Sequence, residues 1–169
     1  MDFRLATMQD LPQLKTVYQD IVCNMNDHQI AIWDDIYPCE FFSEDINNKR
    51  LYILLESDEI IAAFALCNTN QGESSIEWKS ENHKVLYLDR FGVNVNYLNQ
   101  GTGTLMLKKA MEEAKRLGAQ YLRLFVVDIN KPAINLYLKN GFTKAKGYYD
   151  EIIDQDLILH EYGFEIVLN

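Results

Sequence analysis

Hydrophobic positions along the chain follow two periods. Short runs rich in Val, Leu, Ile, Tyr and Phe predict strands, and apolar residues repeated every three or four positions predict amphipathic helices. The predicted strands are residues 2–7, 51–56, 60–67, 75–79, 84–93, 121–127, 142–149 and 157–168. The predicted helices are a capped helix starting at Asp10, a helix over residues 41–48, a helix from Gly101 and Gly103 to residue 117, and a helix over residues 130–140. A polar connection is predicted through Asn82 and His83. With 48% hydrophobic residues among 169, one globular domain over residues 1–169 is predicted.

The most informative stretch is residues 93–105, between a predicted strand and a predicted helix. Gly101 and Gly103 lack a Cβ, so the backbone there can adopt positive φ and approach a ligand closely. The N–H groups and positive dipole end of the following helix suit a phosphate, although most Gly-x-Gly pairs only turn the chain. A P-loop would require Gly-Lys-Ser/Thr, and a dinucleotide fold would require glycine where Met106 stands. Two hypotheses remain: a loop that only turns the chain, and a loop without Lys or Arg that binds phosphate through backbone amides.

A second block, residues 124–142, joins a strand to a helix. Asn130 is the predicted N-cap, Pro132 lies near the first helical position and Gly141 ends the helix. Asn130 and Tyr137 are seven residues apart, which is about two helical turns, so both side chains are expected on one face. The ordinary roles of these two residues would be capping for Asn130 and core packing for Tyr137.

Together, the two blocks resemble the GNAT superfamily of acetyl-CoA-dependent acetyltransferases. The first aligns without gaps with Val-x-Pro-x-Tyr-Arg/Gln-x-x-Gly-x-Gly/Ala, and the second with Asn-x-x-Ala-x-x-x-Tyr-x-x-x-Gly-Phe. The matching residues are Val93, Tyr97, Gly101, Gly103, Asn130, Ala133, Tyr137, Gly141 and Phe142. Leu98 departs from the usual Arg or Gln, and Val95 from a frequent Pro. Neither change removes a backbone donor, so cofactor binding is expected to persist, although Leu98 cannot supply the polar side chain usual at that position.

The resemblance implies a fold, a co-substrate and a binding surface. The implied fold is α/β (α+β), a mixed, twisted sheet of six or seven strands with helices on both faces. The implied co-substrate is acetyl-CoA, and no metal is implied. The residues expected to contact acetyl-CoA are Phe91, Gly92, Val93, Val95, Leu98, Asn99, Gln100, Gly101, Thr102, Gly103, Thr104, Asn130 and Tyr137.

Acetyl transfer to an amine requires a proton acceptor, a hydrogen-bond donor to the thioester oxygen and an acid for the leaving sulfur. The resemblance assigns the acid to Tyr137. It assigns the donor to a backbone N–H at or near Val93, in a strand bulge that the neighbouring Gly92 would tolerate.

The base is chosen from a shortlist of Asp89, Glu77 and Tyr87. Asp89 is preferred because it lies on the strand leading to Val93, although a surface ion pair with Arg90 is the alternative role. No cysteine lies in either matched block, so direct transfer in a ternary complex is expected instead of an acyl-enzyme.

The acceptor site has no motif of known chemistry. Trp33 and Tyr37, flanked by acids such as Asp34, would form an amine-binding lip through cation–π contacts and carboxylate pairing. The alternative is that the two aromatic rings pack a junction between helices. From Gly147 onward the chain carries several acids and no Lys or Arg, which is either solvated surface or a rim that attracts cations.

A net charge of −9 argues against nonspecific nucleic-acid binding and mildly favours a cationic substrate. Three widely spaced cysteines predict no disulfide and a reducing compartment, and three scattered histidines indicate no metal site. No apolar run is long enough for a membrane span, so a soluble, cytoplasmic protein is expected. Proteins of this superfamily often form homodimers, but no interface can be identified from the sequence.

These observations predict an N-acetyltransferase that moves an acetyl group from acetyl-CoA to a primary amine of a small molecule, peptide or protein. The alternative is a non-catalytic acyl-CoA-binding module with a sensing or assembly role. Tyr137 favours the enzyme, whereas Leu98 and the unidentified base leave the alternative open.

Overall fold

A computed structural model of the chain describes residues 1–79, 81 and 83–169. The predicted connection through Asn82 therefore lies partly outside the described residues. The chain divides into two compact units, which are described separately. The first unit comprises Met1–Leu66 and Arg90–Leu107, and the second comprises Cys67–Asp89 and Lys108–Asn169.

Strands and helices follow one another in the order that the hydrophobic pattern predicts as far as α4, and four short or long strands follow it. In chain order they are β1 (Asp2–Leu5), α1 (Leu11–Asp27), α2 (Phe42–Asn47), β2 (Leu51–Glu56), β3 (Glu59–Cys67), β4 (Ile76–Glu77), β5 (Val85–Val93), α3 (Thr102–Arg116), β6 (Tyr121–Val127), α4 (Lys131–Lys139), β7 (Thr143–Lys144), β8 (Lys146–Gly147), β9 (Tyr149–Ile152) and β10 (Ile158–Val167). Short 3₁₀ turns lie at Cys39–Phe41, Glu73–Ser75 and Val95–Tyr97.

Eight strands pair in the order β1-β2-β3-β5-β6-β10-β7, with β9 on β10, and β4 pairs with β8 in a separate ribbon. The first unit contains β1, β2, nearly all of β3 and the end of β5, whereas the second contains the start of β5 and the remaining strands. The β5–β6 pair is parallel and the β1–β2, β2–β3 and β6–β10 pairs are antiparallel. The predicted mixed sheet is confirmed, with eight strands instead of six or seven.

The strand predicted over residues 142–149 is broken into separate segments. Ala145 N still donates to Gly163 O of β10 (2.9 Å), but β8 pairs with β4. At Gly147 φ is +91°, and a Cβ would lie 2.8 Å from Ser75 O. A single regular strand is therefore excluded by this close backbone approach, which the one-dimensional pattern does not reveal.

The first unit is built on a continuous apolar strand and one helix face. In β3 only Glu59 is exposed, as expected for a strand covered on both sides. Helix α1 buries Leu14, Tyr18 and Ile21 at the predicted spacing. The predicted side-chain cap is wrong, because Asp10 accepts hydrogen bonds from Thr7 N (2.7 Å) and from Arg4 instead of capping the helix.

The second unit encloses a buried ion pair. Glu165 of β10 accepts from Lys79 N (2.7 Å) and from Arg123 Nε (3.4 Å), and its side chain is only 2% exposed. The Arg123 guanidinium lies over the Trp78 ring, 4.4 Å from its centroid. Within the described part of the chain, no helix is long and apolar enough to cross a bilayer.

Candidate active site

In the first unit, the end of β5 is anchored where the phosphate-binding loop is predicted to begin. Asn94 is 5% exposed; its backbone N–H donates to Ile61 O (2.9 Å) and its side-chain amide to Ile60 O (3.0 Å). The Asn94 side-chain oxygen also accepts from Asn96 N (3.0 Å). These bonds hold a turn in place with Val95, not proline, next to Asn94.

The loop then turns sharply into α3. Asn99 has φ +58° and Gly101 has φ +82°, and Leu105 N donates to Gly101 O (3.0 Å) at the start of the helix. The amides of residues 102–104 precede that bond and therefore lie in the first turn, where N–H groups point out of the helix end. A Cβ at Gly101 would meet nothing within 4 Å, so the conformation, not space, requires glycine there.

The strand distortion predicted at or near Val93 occurs three residues earlier. Arg90 has φ +52°, and the parallel pairing of β5 with β6 runs over Val85–Leu88, just before it. Arg90 is 8% exposed and its Nε donates to Asp45 Oδ2 (2.5 Å). Arg90 is therefore a buried residue with Asp45 as a buried partner, not a surface residue.

In the second unit, α4 presents the predicted pair of polar residues. Asn130 caps the helix, its side-chain oxygen accepting from Ala133 N (3.3 Å). Tyr137 is 6% exposed and packs against Phe142 and Phe164, with ring centroids 5.9 and 6.4 Å away. Burial, and secondarily the negative charge of Asp89, raises the pKa of the Tyr137 hydroxyl. Tyr137 therefore stays protonated near neutral pH.

Three carboxylates of the second unit interact electrostatically with one another: Asp89, Glu151 and Glu161, which we call the carboxylate cluster. Burial raises the pKa of Glu161 to about 8, and the charges of Glu151 and Asp89 add to the rise. Burial also raises the pKa of Glu151, which is electrostatically linked to Glu161. In the antiparallel ladder, Glu161 faces Tyr149 and Glu151 faces Leu159, so the two glutamates are diagonal neighbours. The cluster holds a proton at neutral pH and releases it in mildly alkaline solution.

The sequence alone points to only one member of this cluster. Asp89 is favoured by its strand, whereas Glu151 and Glu161 stand out only as part of an acidic tail without Lys or Arg. The one sequence pattern that points to Glu161 is the alternation of the last strand, which places residues 161, 163 and 165 on one face of the sheet. Their closeness to Asp89 depends on pairing between strands far apart in sequence.

The other two candidate bases have different surroundings. The Tyr87 hydroxyl accepts from Arg123 Nη1 (3.4 Å), and burial raises the pKa of Tyr87. Glu77 is exposed and lies on the wall of a cavity of about 670 Å³, together with Trp78 and Arg123. Among the described residues that line this cavity, none is Tyr137, Val93 or Asp89.

The predicted acceptor segment in the first unit is organised by aromatic packing. Trp33 stacks on Tyr18 with a centroid distance of 5.6 Å, and Tyr37 lies edge-on to Phe41 at 5.7 Å. The Asp34 carboxylate accepts from Tyr37 N (2.7 Å) and from Ile36 N (2.9 Å). These contacts favour the packing alternative; whether the segment also contacts substrate stays a prediction.

Comparison with known proteins agrees with the motifs. The sequence profile of the acetyltransferase (GNAT) family matches residues 14–142. YwnH of Bacillus subtilis (strain 168), provisionally named a phosphinothricin acetyltransferase, is 25% identical over 92% of this chain and 91% of its own. The thialysine N-epsilon-acetyltransferase of Bos taurus is 39% identical, over only 43% of this chain and 42% of its own.

The fold is also similar to that of a solved GNAT-family structure. A GNAT-family acetyltransferase structure from Streptococcus agalactiae 2603 superimposes with a TM-score of 0.78, at 16% identity, covering 98% of this chain and 94% of that one. At such identity the likeness concerns the fold alone. The family profile, matching well over half of the chain, carries the conclusion: this chain belongs to the acetyltransferase (GNAT) family and is an acetyltransferase.

Proposed function

We propose that the protein transfers an acetyl group from acetyl-CoA to a primary amine, directly and in a ternary complex. The observation that carries this proposal is that Tyr137 is buried in the second unit and that the charge of Asp89 acts on both Tyr137 and Glu161. A buried proton donor and a group of proton acceptors share one environment, as acyl transfer from a thioester to an ammonium group requires.

The loop of the first unit fits the pyrophosphate of acetyl-CoA. Gly101 holds the turn in the left-handed region, and the amides of Thr102, Gly103 and Thr104 lie in the first turn of α3. Charge-assisted N–H to phosphate bonds contribute about 1.5–3 kcal/mol each, so a few of them suffice without a lysine. Asn130 is proposed to contact the pantetheine arm while capping α4, and acetyl-CoA supplies the acetyl group as a thioester.

The chain's own groups would move the protons. The ammonium group of the acceptor gives its proton to the carboxylate cluster, and its nitrogen forms the new bond to the acetyl carbon. As the carbon–sulfur bond breaks, the Tyr137 hydroxyl protonates the leaving sulfur, and the second proton that the nitrogen loses on becoming an amide restores the Tyr137 hydroxyl. A backbone N–H near Val93 stabilises the negative charge on the thioester oxygen, a contribution of about 3–4 kcal/mol for one such donor.

The proposed acceptor is a primary amine of a small molecule or peptide. The carboxylate cluster would attract an ammonium group, and the net charge of −9 adds long-range steering. Trp33, Asp34 and Tyr37 remain proposed acceptor contacts in the first unit.

Two measurements on one sample test the proposal: titration calorimetry with acetyl-CoA, and a thiol-release assay across a panel of amines. We expect acetyl-CoA binding together with thiol release for one class of amine. Binding without release for any amine would favour the non-catalytic module instead, and failure to bind acetyl-CoA would contradict both functions.

Leu98→Arg is expected to tighten acetyl-CoA binding, because the added guanidinium would approach the phosphates. The expected gain is only about two- to fivefold, since an ion pair exposed to solvent contributes little free energy. Leu98 is 38% exposed, so the substitution disturbs little packing. Calorimetry at low and high salt checks this, since the gain should fade as salt screens the pair. Leu117→Arg is the matched control, at 37% exposure, and an equal gain there would show a general charge effect.

The pH dependence of turnover tests the carboxylate cluster. Because the cluster accepts a proton only when ionised, kcat/KM should rise with pH and level off above about 8, following the raised pKa of Glu161. Asp89→Asn should move this limb to lower pH, since the charge of Asp89 helps to raise that pKa. Glu161→Gln should abolish the limb and lower kcat by about a hundredfold.

Thermal unfolding distinguishes a chemical defect from a structural one. A carboxyl whose pKa is raised by folding costs stability as pH increases from the ordinary glutamate range to about 8. Glu161→Gln should therefore be at least as stable as the parent in alkaline solution, although it is slower. If the dependence of kcat/KM on pH is the same in Asp89→Asn as in the parent, Asp89 does not have the proposed role.

A further inference from the structure

Arg90, in the first unit, has a backbone conformation that an arginine disfavours. Its φ of +52° lies within β5, whereas non-glycine residues in the left-handed region are mostly Asn or Asp. A strained backbone conformation of this kind persists only where surrounding contacts hold the residue in place, and such residues concentrate at functional sites. The contacts of Arg90 therefore indicate what its conformation serves.

Buried groups hold Arg90 at both its backbone and its side chain. The Tyr18 hydroxyl, in α1, donates to Arg90 O at 2.5 Å. The Asp45 carboxylate, in α2, accepts from Arg90 Nε at 2.5 Å and from Nη2 at 2.8 Å. The side chains of Arg90 and Asp45 are 7% and 0% exposed, and the guanidinium lies 5.2 Å from the Phe41 ring centroid.

The residue at position 92 allows this arrangement. A Cβ on Gly92 would lie 2.8 Å from both Cζ and Oη of Tyr18 and 3.0 Å from Ile21 Cδ1. Glycine at 92 therefore lets the tyrosine ring approach the strand and reach the carbonyl of Arg90. The Asp45 carboxylate also accepts from Arg50 Nε (2.6 Å), so two guanidinium groups compensate its buried charge.

We propose that Tyr18, Asp45 and Arg90 are positioning residues for acetyl transfer. They hold the end of β5 in the distorted conformation that sets the direction of the N–H groups of residues 91–93. This inference rests on the proposed function, in which one of these groups donates to the thioester oxygen. A displacement of such a donor by about 1 Å is enough to cost about a hundredfold in rate.

Substitutions at position 90 separate the backbone conformation from the guanidinium. In an Asp45→Asn background the buried Asp45 carboxylate charge is gone, so removing Arg90 does not leave that charge without one of its partners. Adding Arg90→Gly permits positive φ, whereas adding Arg90→Val strongly disfavours it. We expect kcat of Asp45→Asn/Arg90→Gly to stay within about threefold of Asp45→Asn, and kcat of Asp45→Asn/Arg90→Val to fall about ten- to a hundredfold.

The acetyl-CoA dissociation constant should change by less than about threefold in both variants, because the loop and the first turn of α3 are untouched. A general packing defect would not produce rescue by glycine or a fall in kcat at constant affinity. Equal kcat for the glycine and valine variants would overturn the inference.

Tyr18→Phe provides a milder test if the valine variant fails to fold. It removes the hydroxyl that donates to Arg90 O, and that also lies 3.4 Å from Ala63 O, and kcat should fall about three- to tenfold at unchanged acetyl-CoA affinity. Tyr52→Phe, at a second buried tyrosine of the first unit, should leave kcat unchanged. Parent-like turnover in Tyr18→Phe would contradict the inference alone, whereas failure of the unsubstituted protein to release thiol would contradict the proposed function.

Discussion

Replacing Tyr137 with Phe is expected to lower kcat about a hundredfold to ten-thousandfold while acetyl-CoA affinity stays nearly constant. The substitution keeps the ring that packs against Phe142 and Phe164 and removes only the hydroxyl. Without that proton donor, sulfur would leave as a thiolate or draw on water, so the contribution of general acid catalysis would disappear. Steady-state kinetics combined with calorimetry measure both quantities.

The buried environment of Tyr137 makes a control necessary. Tyr52→Phe removes another buried tyrosine hydroxyl and should cost stability at most, with kcat retained. If Tyr137→Phe turns over as fast as the parent, Tyr137 has only a packing role. Because its pKa is raised, no fall in rate from its ionisation is expected near neutral pH.

Replacing Gly101 with Val is expected to weaken acetyl-CoA binding about a hundredfold or more. Gly101 has φ +82°, a conformation that costs an L-residue about 1–2 kcal/mol and a β-branched residue more. Because a Cβ there meets no neighbouring atom within 4 Å, the penalty is conformational, and relaxing it would turn the amides of the first turn away from the pyrophosphate. Each phosphate hydrogen bond that is broken in this way costs about 1.5–3 kcal/mol more.

Gly118→Val is the matched control, because Gly118 also has positive φ (+85°) and meets only the flexible Lys84 side chain, at 3.4 Å. Both variants should show similar decreases in unfolding stability, measured by thermal denaturation. The decrease in acetyl-CoA affinity should be confined to Gly101→Val, and at saturating acetyl-CoA its kcat should remain close to that of the parent. Equal affinity in the two variants would show that the loop does not hold the phosphates.

Local patterns predicted the elements of the fold closely. β6 has the predicted bounds Tyr121–Val127, and α4 begins after the predicted cap Asn130. Residues 142–149 were predicted less well, because pairing of β8 with β4 and the close approach at Gly147 involve residues far away in the sequence, at positions 75–77. A period of two indicates which residues alternate, but it does not indicate which partner a strand will choose.

In the candidate site, too, local spacing identified some residues, whereas others depend on contacts between distant parts of the chain. Gly101, Asn130 and Tyr137 are identifiable because helix starts, caps and same-face spacing depend on residues a few positions apart. Glu161 is not identifiable in this way, since its raised pKa arises from burial and from charges that strand pairing brings near it. For Arg90 the adjacent Asp89 suggested a surface pair, although Arg90 is buried and has a distant residue, Asp45, as a partner.

By itself, therefore, the sequence determined the order of strands and helices, the loop before α3 and the helix that carries Tyr137. All of these follow from interactions between residues close along the chain, whose geometry repeats from protein to protein. Only the tertiary structure decided the partner of Arg90, the site of the β5 distortion and the membership of the carboxylate cluster. Burial and charge–charge interactions act through space, so their strength depends on distances that the sequence does not contain.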